Sequence, residues 1–202
     1  PMLVTRLGTE LPVIQAPMAG VQDAALAIAV SAAGGLGSLP CAMLDEARLA
    51  EALARIAAAT AQPVNLNFFC HAMPDPEPAR EQRWRDLLAP YYREAGLEAP
   101  TAMQDSLRRP IDADMVDVLE RFRPRVLSFH FGLPEQRLLR RIKAWGALVL
   151  ASATTLEEGR WLQGRGVSAR ATPSWIEQRT ALFMRGWMTP ATYKGLQNPV
   201  SN

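Results

Sequence analysis

Five groups of residues in this chain combine polar or flexible residue types with a place just beyond an apolar run. They are Met18 with Gly20, Gly37 with Ser38, Asn67 to His71, His130 to Gly132, and Ser152 to Thr154. In a parallel α/β layer, ligands sit at the carboxyl ends of strands, so these are the places where chemistry is expected. The set holds hydroxyls, amides, glycines and the chain's two imidazoles, but no carboxylate. Hydrolysis by paired carboxylates is therefore poorly supported, and no Ser-His-Asp ordering suggests a triad. Backbone groups and amides that hydrogen-bond a planar heterocycle fit the set better.

Each group also has a plainer use. Gly34-Gly35-Leu36-Gly37 can serve as a helix stop and a tight turn. Asn65 and Asn67 interrupt an apolar run, where an amide needs a partner, and capping or ligand binding would each supply one. Met18 can pack in a core or present its backbone to a flat ring. His71 leads a proline-rich loop and reads as a solvated side chain. His130, flanked by Phe129, Phe131 and Gly132, has an apolar setting, where it would either bond a backbone carbonyl or face a ligand. Ser152 and Thr154 most simply cap the helix that follows.

The elements that must position these residues alternate short apolar runs with amphipathic helices. Expected strands are Val13 to Ala16, Leu36 to Leu39, Pro63 to Phe69, Arg125 to Phe129 and Ala147 to Ala151. After the first strand, Asp23 can cap a helix carrying Leu26, Val30 and Ala33 on its apolar face. The next helix, from about Asp45 to Thr60, has Leu49, Leu53 and Ile56 on one face and Glu51 four residues before Arg55. An insertion over 72–123 carries helices near Arg80 to Ala95 and Ile111 to Phe122. The fourth helix has Pro134 in its first turn and Leu138, Leu139, Ile142 and Trp145 on one face. The fifth opens on the capping-box pattern Thr155-Leu156-Glu157-Glu158.

Such alternation implies an α/β fold with a parallel sheet and right-handed crossovers, either doubly wound or a (β/α) barrel. About five βα units can be read in residues 1–166. Residues 167–202 read as a divergent tail with no apolar strand run and a helical stretch near Trp175 to Met184. The formal charge of +2, from 22 basic and 20 acidic residues that are interleaved, points away from nucleic acid and from anionic membrane. Cys41 and Cys70 have no metal-ligand spacing, so no metal site is expected; they read as reduced thiols of a cytoplasmic protein.

Taken in order, "PVIQAPMAG", "AVSAAGGLGS", "PVNLNFF", "VLSFHFGLP" and "LVLASATTLEEGRWLQGRGV" resemble the nitronate monooxygenase family, formerly called 2-nitropropane dioxygenases, and the related FMN-dependent enoyl-ACP reductases. The likeness runs over about residues 10 to 167. It implies a TIM barrel that binds FMN and oxidises alkyl nitronates with molecular oxygen through flavin-centred electron transfer. It places Ala16, Pro17, Met18 and Gly20 against the isoalloxazine ring and gives Asn67 the strand-three amide contact. Gly37, in the tight turn with Gly34 and Gly35, and Ser152, at the fifth strand end, complete the expected cofactor-binding set.

The sequence also departs from that pattern. One branch of the family has a catalytic His at the end of strand five, where Ala151 stands here; the other has it in an "EAGGH" stretch after strand six, which this sequence lacks. The later Gly-rich loops that hold the FMN phosphate are not found either. His130 is thereby the candidate catalytic residue, to polarise substrate or take a proton. The likeness stops where "RGV" would continue into "DAV". Codons GCG-ACG-CCG-TCN for Ala171-Thr172-Pro173-Ser174 contain Asp-Ala-Val in another frame, so a truncated or frameshifted member is one expectation. Three functions stay open: an FMN-dependent nitronate monooxygenase, an FMN- and NAD(P)H-dependent enoyl-ACP reductase, and an inactive remnant. The expected partners are a nitronate and oxygen. A partial barrel with an open edge would also favour a homo-oligomer.

Overall fold

A computed structural model describes residues 2–73, 75, 77–98, 108–167, 169–172 and 181–184. The apolar runs become strands β1 (Gly37–Pro40), β2 (Val64–Phe69), β3 (Val126–His130) and β4 (Leu148–Ser152), which lie side by side and parallel. β5 (Ala169–Thr172) adds in parallel to β4, and β6 (Ala181–Met184) runs antiparallel to β5. Spatial order follows chain order throughout. A doubly wound sheet reverses its order at a switch point, whereas a barrel does not, so the arrangement is part of a (β/α) TIM-type barrel.

The helices of this layer are α1 (Met2–Leu7), α2 (Ala24–Ala32) and α3 (Glu46–Ala59), then, after α4 of the insertion (Pro78–Glu94), α5 (Ala113–Phe122), α6 (Gln136–Ala144) and α7 (Leu156–Gly164). Four begin on side chains that accept backbone N–H bonds: Asp23, Asp45, Asp112 and Thr155. At α7 the full capping box forms, with Thr155 accepting from the Glu158 N–H and the Glu158 carboxylate reaching back. Thr155→Ala should lower unfolding free energy by about 1 kcal/mol with an unchanged urea m-value; a change near zero would show that α7 is held by packing alone.

Several expectations are corrected. The first expected strand is reduced to a single parallel bridge, Ile14 to Leu36, because Pro17, next in register to donate to the Ser38 carbonyl, has no N–H. The apolar face read for α2 is turned: Leu26 is exposed, and Ala24, Ala27 and Ser31 are buried. The reason is Gly37, whose missing side chain lets α2 lie directly on β1. A Cβ there would overlap the Ala27 carbonyl and sit 2.6 Å from its carbon. Small residues face the sheet because nothing larger fits.

Arg55 pairs with Asp23 at 3.4 Å, not with Glu51. Pro134 precedes α6 instead of opening it, and Glu135 is the N-cap. A strand stands at 169–172, where no strand was expected, because it pairs through backbone groups that need no apolar side chains. Residues 181–184, read as the end of a helix, are extended. The rest of the tail lies outside the described residues.

The chain divides into two units, Ala72–Leu107 and the remainder. In the smaller one, α4 has no buried residue and exposes Trp84, Leu87 and Tyr91. α5, read as part of the insertion, belongs to the larger unit.

In that larger unit the pleat of each strand sends alternate residues to opposite faces. One face packs against the helices: Leu39, Leu66, Phe68, Leu127, Phe129, Val149 and Ala151 join Leu49, Leu53, Val116, Leu119 and Ile142 in the main core. The other face carries a second, smaller apolar cluster in which Leu36, Val126 and Leu150 close around Leu7 of α1.

Candidate functional site

The second face changes character along the strands. By register it reads Ser38, Asn65, Val126 and Leu148 in one row, then Pro40, Asn67, Ser128 and Leu150, and then Phe69 beside His130. The apolar floor gives way to amides, hydroxyls and an imidazole toward the carboxyl ends. Buried amides need partners. Asn67 donates to the Ser128 hydroxyl at 2.9 Å, and Asn65 to the Ser38 hydroxyl at 3.0 Å. The Asn65 Oδ1 has no hydrogen-bond partner among the described residues.

Above these rows opens a cleft of about 1070 Å³. Pro17, Ala19, Pro40, Ala42, Phe69 and Phe131 make it largely apolar, while Asn67, His130 and Ser152 converge on it as polar groups. One side is α7, through Glu157, Glu158, Trp161 and Leu162. A large apolar cleft with few convergent polar groups is the usual form of a small-molecule site.

His130 is the last residue of β3, and its Nδ1 lies 3.0 Å from the Ser152 hydroxyl at the end of β4. Burial pushes its pKa below the usual imidazole value of 6.5, so the ring is neutral at pH 7. An unfolded chain therefore takes up this proton first as pH falls below 6.5, and the contribution to stability is lost on the acid side. Urea midpoints at pH 7.5 and 5.5 should fall further apart in the parent chain than in His130→Gln; equal differences would remove His130 as the cause.

Phe69 sits among three rings: Phe131 at 5.1 Å, and His71 and His130 each at 6.1 Å. His71 is thus packed edge-on in a ring cluster and is not simply a solvated loop side chain. Phe131 is 65% exposed and held at φ +65°, a left-handed conformation that costs a non-glycine residue about 1 kcal/mol. With Gly132 at φ +106°, it swings the chain out of β3. Both cysteines are free. Cys41 is buried, and burial also pushes the Cys70 thiol, next to His71, up to about 12.

Of the residues singled out in the sequence, Pro17, Asn67, His130 and Ser152 are brought together as cleft lining. Ala16, Met18 and Gly20 belong to the adjoining loop but do not line the cleft, and Gly37 faces α2 instead. Ser152 bonds His130 and does not cap α7; Thr154 donates its N–H and hydroxyl to Glu158, which with the Thr155 amide holds that carboxylate below the usual range. The α7 wall and two glutamines, Gln15 and Gln22, were not read as functional.

Residues 1–172 match the family model for nitronate monooxygenase. The chain belongs to the nitronate monooxygenase family. It is 39% identical over 168 residues to a nitronate monooxygenase of Paraburkholderia phytofirmans, covering 83% of this chain and 46% of that protein. With the Pseudomonas aeruginosa nitronate monooxygenase the identity is 38% over 164 residues, 81% of this chain and 47% of that one. The chain thus spans about half the length of the curated relatives it matches. A nitroalkane oxidase from Streptomyces ansochromogenes superposes with TM-score 0.69 at 32% identity, over 85% of this chain and 48% of that one. FabK from Thermotoga maritima shares the fold, with TM-score 0.59 at 20% identity over 86% of this chain and 46% of that one. Among the described residues of this family member, no helix is long and apolar enough to cross a membrane.

Proposed function

We propose that this chain carries the ring-binding side of an FMN site at which alkyl nitronates are oxidised by molecular oxygen. The observation that carries the reading is the convergence of Asn67, His130 and Ser152 on one large apolar cleft at the carboxyl ends of β2, β3 and β4. Family membership supports it. The cleft suits a flat heterocycle: Pro17, Ala19, Pro40 and Phe69 offer apolar surface, and the Asn67 amide lies at the floor. Its charged lining among the described residues is Glu157 and Glu158, so the ring finds a fitting surface there and a phosphate dianion does not.

When bound, FMN would supply the redox chemistry, moving electrons from nitronate to oxygen. The protein's own work is orientation and proton handling. A neutral imidazole has one donor and one acceptor nitrogen. Nδ1 engages Ser152: where it accepts the hydroxyl proton, Nε2 carries the hydrogen and can donate to a nitronate oxygen, and where it donates, Nε2 is free to take a proton. The apolar walls lower the local dielectric and so strengthen that contact. The free thiols fit a reducing, cytoplasmic setting.

The test is to titrate the purified chain with FMN, follow the absorbance spectrum, and then assay oxygen-dependent consumption of an alkyl nitronate. Bound flavin with turnover supports the reading; a chain that takes up no flavin overturns it. The likeness to FabK is one of fold and lends the reductase alternative no residue. Anaerobic reduction of bound flavin by NADH, without nitronate turnover, would favour that alternative.

A further inference from the structure

Past the Gln15 N–H bond to the Leu36 carbonyl, the loop running to Gln22 makes no further backbone ladder among the described residues, yet it forms part of the cleft wall through Pro17 and Ala19. Two side chains take the ladder's place. The Gln15 Oε1 accepts the Ser38 N–H at 2.8 Å, and the Gln22 Nε2 donates to the Ser38 carbonyl at 2.6 Å. Both backbone groups of one β1 residue are thus satisfied by side-chain amides, as a neighbouring strand would satisfy them. The amides are joined to each other, Gln15 Nε2 donating to Gln22 Oε1 at 2.7 Å. Gln22 Oε1 also accepts the Met18 N–H at 3.0 Å, at the start of a turn in which the Val21 N–H reaches back to the Met18 carbonyl at 3.4 Å. Gly20, at φ +84°, supplies the left-handed residue of that turn.

We propose that Gln22 is a positioning residue that clamps the Met18–Val21 turn to β1 and so sets where Pro17 and Ala19 meet a ligand in the cleft. Three of its bonds converge from separate parts of the chain: the turn, the preceding strand remnant and β1. No other side chain among the described residues ties the turn to the sheet. The clamp uses the Met18 N–H internally. The N–H of Ala19, which lines the cleft, makes no hydrogen bond among the described residues and so is open to a ligand acceptor. The ligand part of this inference rests on the FMN reading; the clamp itself does not.

The experiment compares the full chain with Gln22→Met, which keeps length and removes the hydrogen bonds, and Gln22→Glu, which keeps the acceptor for Met18. Amide exchange is followed at Met18 and Ser38, with thermal unfolding and FMN titration alongside. Gln22→Met should speed exchange at Met18 by about tenfold and weaken FMN binding by about tenfold, the scale of one or two net hydrogen bonds, while the Ser38 N–H, held by Gln15, changes less and exchange in β2 to β4 stays unchanged. Gln22→Glu should restore Met18 protection. Unchanged exchange at Met18 in Gln22→Met overturns the clamp. Faster exchange with unaltered FMN affinity overturns the positioning role. If the parent chain takes up no FMN, the exchange measurements still decide the clamp while the flavin reading fails separately.

Discussion

Replacing His130 with alanine should lower nitronate turnover by at least about a hundredfold while leaving flavin binding in place, since a positioned acid or base contributes on the order of 10²–10⁴. The expectation follows from where the ring sits. Its Nδ1 is engaged by Ser152, burial keeps it neutral, and it lines the cleft between Phe69 and Phe131. The loss should appear in the rate and not in FMN affinity, because the apolar surfaces of Pro17, Pro40 and Phe69 are untouched. His130→Gln, which keeps a donor and an acceptor but cannot take up a proton near neutral pH, separates two roles. Recovery of much of the rate would assign His130 to polarising the substrate; a rate as low as that of alanine would assign it to proton transfer. A parent-like rate in His130→Ala would remove the residue from the mechanism.

Gly37→Ala should be the most damaging single change to the fold. The added Cβ would fall on the Ala27 carbonyl, with the carbonyl carbon at 2.6 Å and the Cα at 2.7 Å, and all of these are helix backbone with no rotamer to give way. Relief requires α2 to lift from β1, which would also strain the Ser31 hydroxyl bonds to the Gly37 N–H and the Pro63 carbonyl. Overpacking of a rigid site costs about 1–3 kcal/mol and occasionally more. Contact with backbone belongs at the upper end, or roughly 6–12 °C in melting temperature for a chain of this size. Thermal unfolding followed by circular dichroism measures it. A variant that melts like the parent but binds FMN more weakly would instead give Gly37 the cofactor role suggested by its place in the glycine cluster.

These cases show which features local sequence can reveal. Asp23, Asp45 and the Thr155–Glu158 box act over two or three residues, and each caps its helix as the pattern indicates. The strands β2, β3 and β4 are dense apolar runs, and the strand ends that bring Asn67, His130 and Ser152 together follow from them. The buried stripe of α2 was not legible, because it is decided by a glycine on another element; ranking by apolar size selects Leu26, which faces solvent. The role of Gln22 depends on Ser38, a contact across 16 residues that no helical or strand period encodes. The first strand failed for a local reason that was visible, Pro17, but the glutamine substitutes for its ladder were not.

Burial of Cys70 has a chemical consequence beside a cleft proposed to use oxygen. Its backbone N–H donates to the His130 carbonyl, so the residue is anchored to the same strand end as the candidate catalytic ring. Oxidants attack the thiolate, and a thiol raised to about 12 is ionised to only about one part in 10⁵ at neutral pH. Sulfenic acid formation, the first rung of oxidative damage, is correspondingly slow. The packing beside the cleft thereby also shields Cys70 from oxidation at the site where oxygen use is proposed.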